Sequence, residues 1–173
     1  APPSFVASGA DLEGEASQDE PIAANRVLNI KNGAIVDSGG GTTGVWILQN
    51  GKILTTFDEP TGGTHLTLVL AGHYKMSFEE AELFKQDPKN AKKIAAQVAP
   101  VLQKIGTIIR QGIAGYPVEE IHLVGGTAAT VGIEKITTPE TGLPTVVSAR
   151  PILVPPAGLA LGCPPMASEP PQT

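Results

Sequence analysis

The chain has 173 residues, a hydrophobic content of 41%, a charged content of 17% and a net charge of −5. That length fits one domain with a buried core. With no run of Lys or Arg and aromatics at only 4%, the composition excludes a basic nucleic-acid patch and a base-stacking platform.

Residues 1–18 read as a poorly ordered leader. Asp19-Glu20-Pro21 opens a short helix over residues 19–30, acidic residues and Pro being favoured at a helix start. Residues 34–37, 44–49 and 52–57 read as strands, the last two joined by Asn50-Gly51, a strong hairpin signal. After a second Gly-bearing turn, Asp58–His65, Thr64 is the expected N-cap of an apolar helix His65–Ala71. Ser77-Phe78-Glu79-Glu80 is a capping box opening a helix to about Gln86, which Asp87-Pro88 ends. Residues 89–112 form an amphipathic helix, with Ile94, Val98, Val101, Leu102, Ile105, Ile108 and Ile109 at helical spacing. Pro100 is expected to kink or split it. Ile121–Val124 is a short buried strand, and Gly125-Gly126-Thr127 turns it into a helix over about residues 127–135. Val146-Val147 suggests a last strand, Pro156–Leu161 a closing helix, and residues 163–173 a disordered Pro-rich tail. A strand meander followed by strand–helix units implies an α/β fold with a mixed sheet and helices packed on it.

Chemistry concentrates in Gly33-Ala34-Ile35-Val36-Asp37-Ser38-Gly39-Gly40-Gly41-Thr42-Thr43-Gly44-Val45. Glycines let a phosphate approach backbone N–H groups, and hydroxyls add hydrogen bonds. A carboxylate at the strand end suits Mg²⁺ held through water, or the orientation of an attacking water. The same string also suits an ordinary hairpin turn. It is neither a Walker A loop nor a dinucleotide fingerprint, because no Gly-Lys-Ser/Thr is present and a strand follows the glycines. Two further glycine turns, Gly62-Gly63 and Gly125-Gly126, lie next to element ends, where such turns can converge on one crevice. His65, His73 and His122 lack zinc-ligand company, and no site is expected in which side chains alone hold a metal. Cys163, the single cysteine, rules out an internal disulfide framework and suits a reducing compartment, so a cytoplasmic location is expected. No apolar run spans a membrane, and residues 1–26 carry no secretory signal. The chain starts at Ala1, as a processed product or fragment would.

Three strings carry a family resemblance. Asp37-Ser-Gly-Gly-Gly-Thr-Thr resembles the second phosphate motif of the actin, Hsp70 and sugar-kinase superfamily. Leu123-Val124-Gly125-Gly126-Thr127 resembles its adenosine motif, and Asp19-Glu20-Pro21-Ile22-Ala23-Ala24 resembles its Glu-Pro helix. Within the superfamily, Gly33–Gly44, Asp58–Gly72 and Ser77–Glu82 are similar to the EutJ family of ethanolamine-utilisation proteins. The resemblance implies a ribonuclease-H-like mixed sheet, the second lobe of an actin-like ATPase, over residues 19–162.

The resemblance also implies roles. Asp37 would lie near Mg²⁺ and the attacking water. The backbone of Gly39, Gly40 and Gly41 and the hydroxyls of Thr42 and Thr43 would hold phosphates of ATP or ADP. Gly62 and Gly63 would pass the ribose, Glu82 and Lys85 would grip ribose and adenine, and Gly125, Gly126 and Thr127 would line the far side. On residues alone, the reading of Glu82 and Lys85 as a solvated i,i+3 pair wins. A first lobe with its own Asp-x-Gly loop is not seen in the residues before Asp19, and Asp11-Leu12-Glu13-Gly14 is not such a loop. Half the charge-assisted contacts, at about 1.5–3 kcal/mol each, would then be missing, and hydrolysis by this chain is expected to be weak or absent. The expected partners are nucleotide, a first lobe or second chain, and ethanolamine-utilisation enzymes or shell proteins, with self-association through the face a first lobe would cover. Three functions compete: a chaperone-like ATPase, a nucleotide-independent interaction module, and a small-molecule kinase. The last lacks a substrate-binding carboxylate pattern.

Overall fold

A computed structural model describes residues 19–162; the expected leader and tail lie outside the described residues. Five strands form one mixed sheet: β1 (Gly33–Ser38), β2 (Thr43–Gln49), β3 (Lys52–Glu59), β4 (Ile121–Val124) and β5 (Thr145–Val147), in the order β3-β2-β1-β4-β5. β1, β2 and β3 pair antiparallel as a meander, while β4 and β5 add in parallel on the other side of β1. The β2–β3 hairpin closes where expected, with Asn50 and Gly51 both at positive φ (54° and 75°), the backbone a tight two-residue turn demands. β1 is central, so the Asp37 and Gly39 that follow its apolar run sit at the middle of the sheet end.

Successive residues of a strand face opposite sides, and both sides are apolar. Ala34, Val36, Val45, Ile47, Ile121 and Leu123 join one core with the helices α2 (Gly63–Tyr74), α3 (Phe78–Gln86), α4 (Ala91–Ile113) and α5 (Ile133–Thr141). Ile35, Trp46, Leu48 and Val124 join a second, smaller core with α1 (Asp19–Leu28) and α6 (Val154–Gly162), which pack on each other. The larger core is anchored by α4, whose Val98, Leu102, Ile105 and Ile109 are fully buried at helical spacing. Each such side chain contributes about 1.5–3 kcal/mol by leaving water.

Four boundaries differ from the sequence reading. α2 begins at Gly63 with Gly62 as its N-cap, so Thr64 is not the cap but lies in the first turn, its N–H donating to the Gly40 carbonyl at 2.7 Å. α4 is not split: it runs through Pro100, where the proline and Ala96, the residue whose carbonyl loses its partner, are both exposed to water. Instead of a helix over 127–135, a 3₁₀ turn at Thr127–Ala129 precedes α5 at Ile133–Thr141. Its start is set at a distance, by the Thr127 hydroxyl donating to the Gly39 carbonyl. α6 starts at Val154, because Pro155 and Pro156 fit the first turn of a helix.

Candidate functional site

The three glycine turns meet at one carbonyl. Gly39 ends β1's excursion, and its oxygen accepts from the Gly63 N–H at 2.8 Å and from the Thr127 hydroxyl at 2.9 Å. Turns that lie 24 and 88 residues away in sequence are thus tied to the first. Gly62 makes this approach possible: a Cβ there would lie 2.6 Å from the Gly39 oxygen and 2.8 Å from the Gly40 oxygen. Gly125, at φ +89°, packs against Asp37 and the Ser38 carbonyl.

Other glycines are not explained by packing. Gly39, Gly40 and Gly126 line a cavity of about 660 Å³. None has a left-handed φ, and a Cβ would meet nothing nearer than 3.9 Å at Gly39 and Gly40 and nothing within 4 Å at Gly126. The fold would accept a side chain at each. What their bareness provides is close access to the main chain from the cavity.

Opposite the turns stands α3, positioned by the Ser77 capping box: Glu80 N–H donates to Ser77 Oγ at 3.1 Å, and Ser77 N–H donates to Glu80 Oε2 at 2.8 Å. From α3, Glu82 and Lys85 reach the cavity wall. Lys85 Nζ donates to Glu82 Oε2 (2.8 Å), to Thr67 Oγ1 (2.7 Å) and to the Gly63 carbonyl (3.2 Å). Burial pushes the Glu82 carboxyl up, but hydrogen bonds from Lys85, Thr67 and Gln86 and the Lys85 charge outweigh it and hold Glu82 below the ordinary glutamate range.

Asp37 stands apart. It lies behind the glycine turn rather than in the cavity wall, and burial first, then the negative charge of Glu20, push its carboxyl up from 3.8 to about 6. No salt-bridge cation faces it among the described residues.

Of the residues singled out from sequence, Gly39, Gly40, Gly63, Glu82, Lys85, Gly126 and Thr127 line the one cavity. Gly62 and Gly125 pack one layer behind it, and Gly41 and Thr42 are exposed at the turn tip. Thr43 is fully buried, its hydroxyl 2.9 Å from that of Ser38 and donating to the Thr61 carbonyl at 2.7 Å, so it braces the turn from beneath. The sequence reading missed the apolar side of the cavity, where Leu66, Ala91, Ile94, Val131 and Ile152 come from separate segments. It also missed Thr67, whose only local signal is its place one helical turn after Gly63. Among the described residues no group of three His, Cys, Asp or Glu side chains could hold a metal, and no helix is long and apolar enough to cross a membrane.

Comparison with known proteins places this arrangement. A family model described as type IV pilus assembly protein PilM matches residues 25–152. The ethanolamine utilization protein EutJ of Salmonella typhimurium is 39% identical over 131 residues, covering 76% of this chain and 46% of that protein. The crystal structure of EutJ from Carboxydothermus hydrogenoformans superposes with a TM-score of 0.79 at 46% identity, over 82% of this chain and 53% of that one. MreB5 of Spiroplasma citri bound to AMPPNP superposes with a TM-score of 0.70 at 16% identity, over 82% of this chain and 57% of that one, a likeness of fold alone. The chain spans about half the length of the curated relatives it matches.

Proposed function

The chain belongs to the family that the PilM model describes and shares the actin-like ATPase fold with its EutJ homologues, and from that premise we propose that it is an adenine-nucleotide-binding lobe of an ethanolamine-utilisation protein. The observation that carries the reading is the set of glycines that face the cavity without any need of the fold for glycine there. A phosphate chain is the ligand that gains from bare main chain, since backbone N–H groups can then surround its oxygens. The Glu82–Lys85 pair opposite suits ribose hydroxyls and the base edge, and the apolar side of the cavity suits a base face. That MreB5 was seen with AMPPNP supports the same ligand class here.

The donor set fits a Mg²⁺ carried in by phosphate oxygens better than a free ion. Asp37 offers one carboxylate, raised by burial and therefore favoured by a neighbouring cation. Bound Mg²⁺ would neutralise phosphate charge, while Asp37 would hold its water ligands and Gly40 and Gly126 would offer their main-chain N–H groups to phosphate, the Gly39 N–H being spent on the Thr42 carbonyl at 3.0 Å. Hydrolysis by this lobe is weak or absent in this reading, because the far side of the phosphates needs groups from a further lobe or a second chain. Ile152, Leu153, Leu159 and Leu161, exposed on and before α6, suit such a cover. A chaperone-like role toward ethanolamine-utilisation enzymes or microcompartment shell proteins rests on family analogy. The same exposed residues favour a second reading, an interaction module that works without nucleotide.

Calorimetric titration of Mg-ATP and Mg-ADP into the chain tests the proposal. Saturable binding that Gly40→Val abolishes, with the fold intact, supports it. Absence of binding, together with rescue of ethanolamine growth by both wild type and Gly40→Val in a strain lacking its EutJ, overturns it in favour of the second reading.

A further inference from the structure

We propose that Thr67, on α2, is a positioning residue that aims the Glu82 carboxylate at the sugar of the bound nucleotide and so sets discrimination for ribose hydroxyls; this rests on the nucleotide reading above. Several helix threonines here donate to the carbonyl one turn back, Thr107 to Gln103 at 3.1 Å, Thr137 to Ile133 at 3.0 Å and Thr141 to Thr137 at 2.9 Å, and the Thr67 hydroxyl likewise lies 3.0 Å from the Gly63 carbonyl. Thr67 alone among these four also meets charged side chains from another helix. It is fully buried, its oxygen accepts from Lys85 Nζ at 2.7 Å, and it lies 2.6 Å from Glu82 Oε2.

The proton count decides what the junction does. A threonine hydroxyl has one hydrogen and two lone pairs. With Lys85 occupying the acceptor side, the hydrogen goes to the nearer, charged acceptor, Glu82 Oε2, because charge-assisted bonds are the stronger ones. The Gly63 carbonyl is then served by Lys85 at 3.2 Å. Glu82 Oε2 thereby has two donors, Thr67 and Lys85, whereas Oε1 has only the 3.4 Å contact from Gln86. One oxygen is clamped and the other is left with most of its accepting capacity. A sugar offers two adjacent hydroxyl donors, the complement of such an oxygen.

Gly63 also donates its N–H to the Gly39 carbonyl. The clamp on Glu82 is therefore built on the residue that fixes the phosphate-side turn, and a sugar held by Glu82 is placed relative to that turn through a single helical turn of α2. Without Thr67, Lys85 and Glu82 would still attract each other, but the buried bond that fixes the Glu82 carboxylate on α2 would be gone, leaving the longer 3.2 Å bond from Lys85 to the Gly63 carbonyl to hold the pair there.

The test compares affinities for Mg-ATP and Mg-2′,3′-dideoxy-ATP by calorimetry in wild type, Thr67→Ser and Thr67→Val, with unfolding followed by circular dichroism. Wild type should prefer ATP by about tenfold, the size of a hydroxyl–carboxylate bond. Thr67→Ser should keep that preference. Thr67→Val should bring the two nucleotides to within about twofold of each other while binding of the dideoxy compound stays close to wild type. If Thr67→Val does not fold, Thr67→Ala, which adds no volume, takes its place. An unchanged ATP preference in the hydroxyl-free variant, or equal weakening of both nucleotides, reduces Thr67 to a packing role and overturns the proposal. A wild type that binds neither nucleotide overturns the nucleotide reading itself, and the proposal with it.

Discussion

Two carboxylates flank the glycine turns, and they are opposites. Glu82 is held: Lys85 and Thr67 clamp one of its oxygens, Gln86 reaches the other at 3.4 Å, and its carboxyl lies below the ordinary range. Asp37 is half-buried beside another acid, with its carboxyl pushed up to about 6. Glu82 has its partners in place at the cavity, whereas Asp37, behind the glycine turn, has no salt-bridge cation facing it among the described residues. Preorganised groups bind at low cost, and strained groups confer dependence on the ligand that relieves them. On the nucleotide reading proposed above, the sugar side would serve recognition and the phosphate side response.

Four substitutions separate the roles of the two carboxylates and the turns between them. The largest effect is expected from Gly62→Ala, which brings a methyl against two carbonyls that cannot yield; urea unfolding should show a loss of about 3 kcal/mol and nucleotide binding should vanish.

Asp37→Asn should act in the opposite sense. A carboxyl raised in the folded state keeps its proton to higher pH than in the unfolded chain, so stability falls as pH rises from about 4 to about 6 and stays low above that. The asparagine variant should therefore be more stable than wild type above pH 6 by about 2 kcal/mol, with the difference closing below pH 4, as read from unfolding midpoints across pH. If Mg-ADP supplies the missing positive charge, its addition should shrink that gap; a gap that persists at saturation would separate Asp37 from the metal.

For Glu82 the sign reverses: its contribution is present above the ordinary glutamate range and disappears only as pH falls through its depressed folded value. Lys85→Met should remove that acid resistance and weaken nucleotide binding by about tenfold, with a stability cost near 1 kcal/mol because the pair is partly exposed. The smallest effect should come from Ser77→Ala, which removes the cap of α3: about 1 kcal/mol of stability, and a modest loss of affinity as α3 loosens its hold on Glu82 and Lys85.

The sequence made visible what local chemistry determines. Asn50-Gly51 closed its hairpin, Ser77 capped α3, and the apolar spacing of Ile94 through Ile109 faced the core. The glycine turns and the Glu82–Lys85 pair were legible as candidates, and the structure brings seven of those residues to one cavity. Long-range bonds were not legible. Thr64 is the best local N-cap in its stretch, yet Gly62 takes that place because the Gly39 and Gly40 carbonyls receive the first N–H groups of α2. His65 adds its Nδ1 as acceptor for the Gly62 N–H at 3.2 Å, a role its sequence position did not suggest. Likewise Thr127 spends its hydroxyl on the first turn rather than on starting a helix, which delays α5 to Ile133. Thr43 shows the converse: the motif marked it for a ligand, but its hydroxyl lies in the protein interior.

The Gly39 carbonyl has two lone pairs, and both are taken, one by Gly63 and one by Thr127. A single oxygen thus acts as the rivet of three chain segments. Deuterium should enter the Gly63 amide only when the β1 end and α2 part company, and a ligand that clamps any one of the turns should slow exchange at the other two. On the nucleotide reading, filling the cavity should therefore be felt at all three segments together.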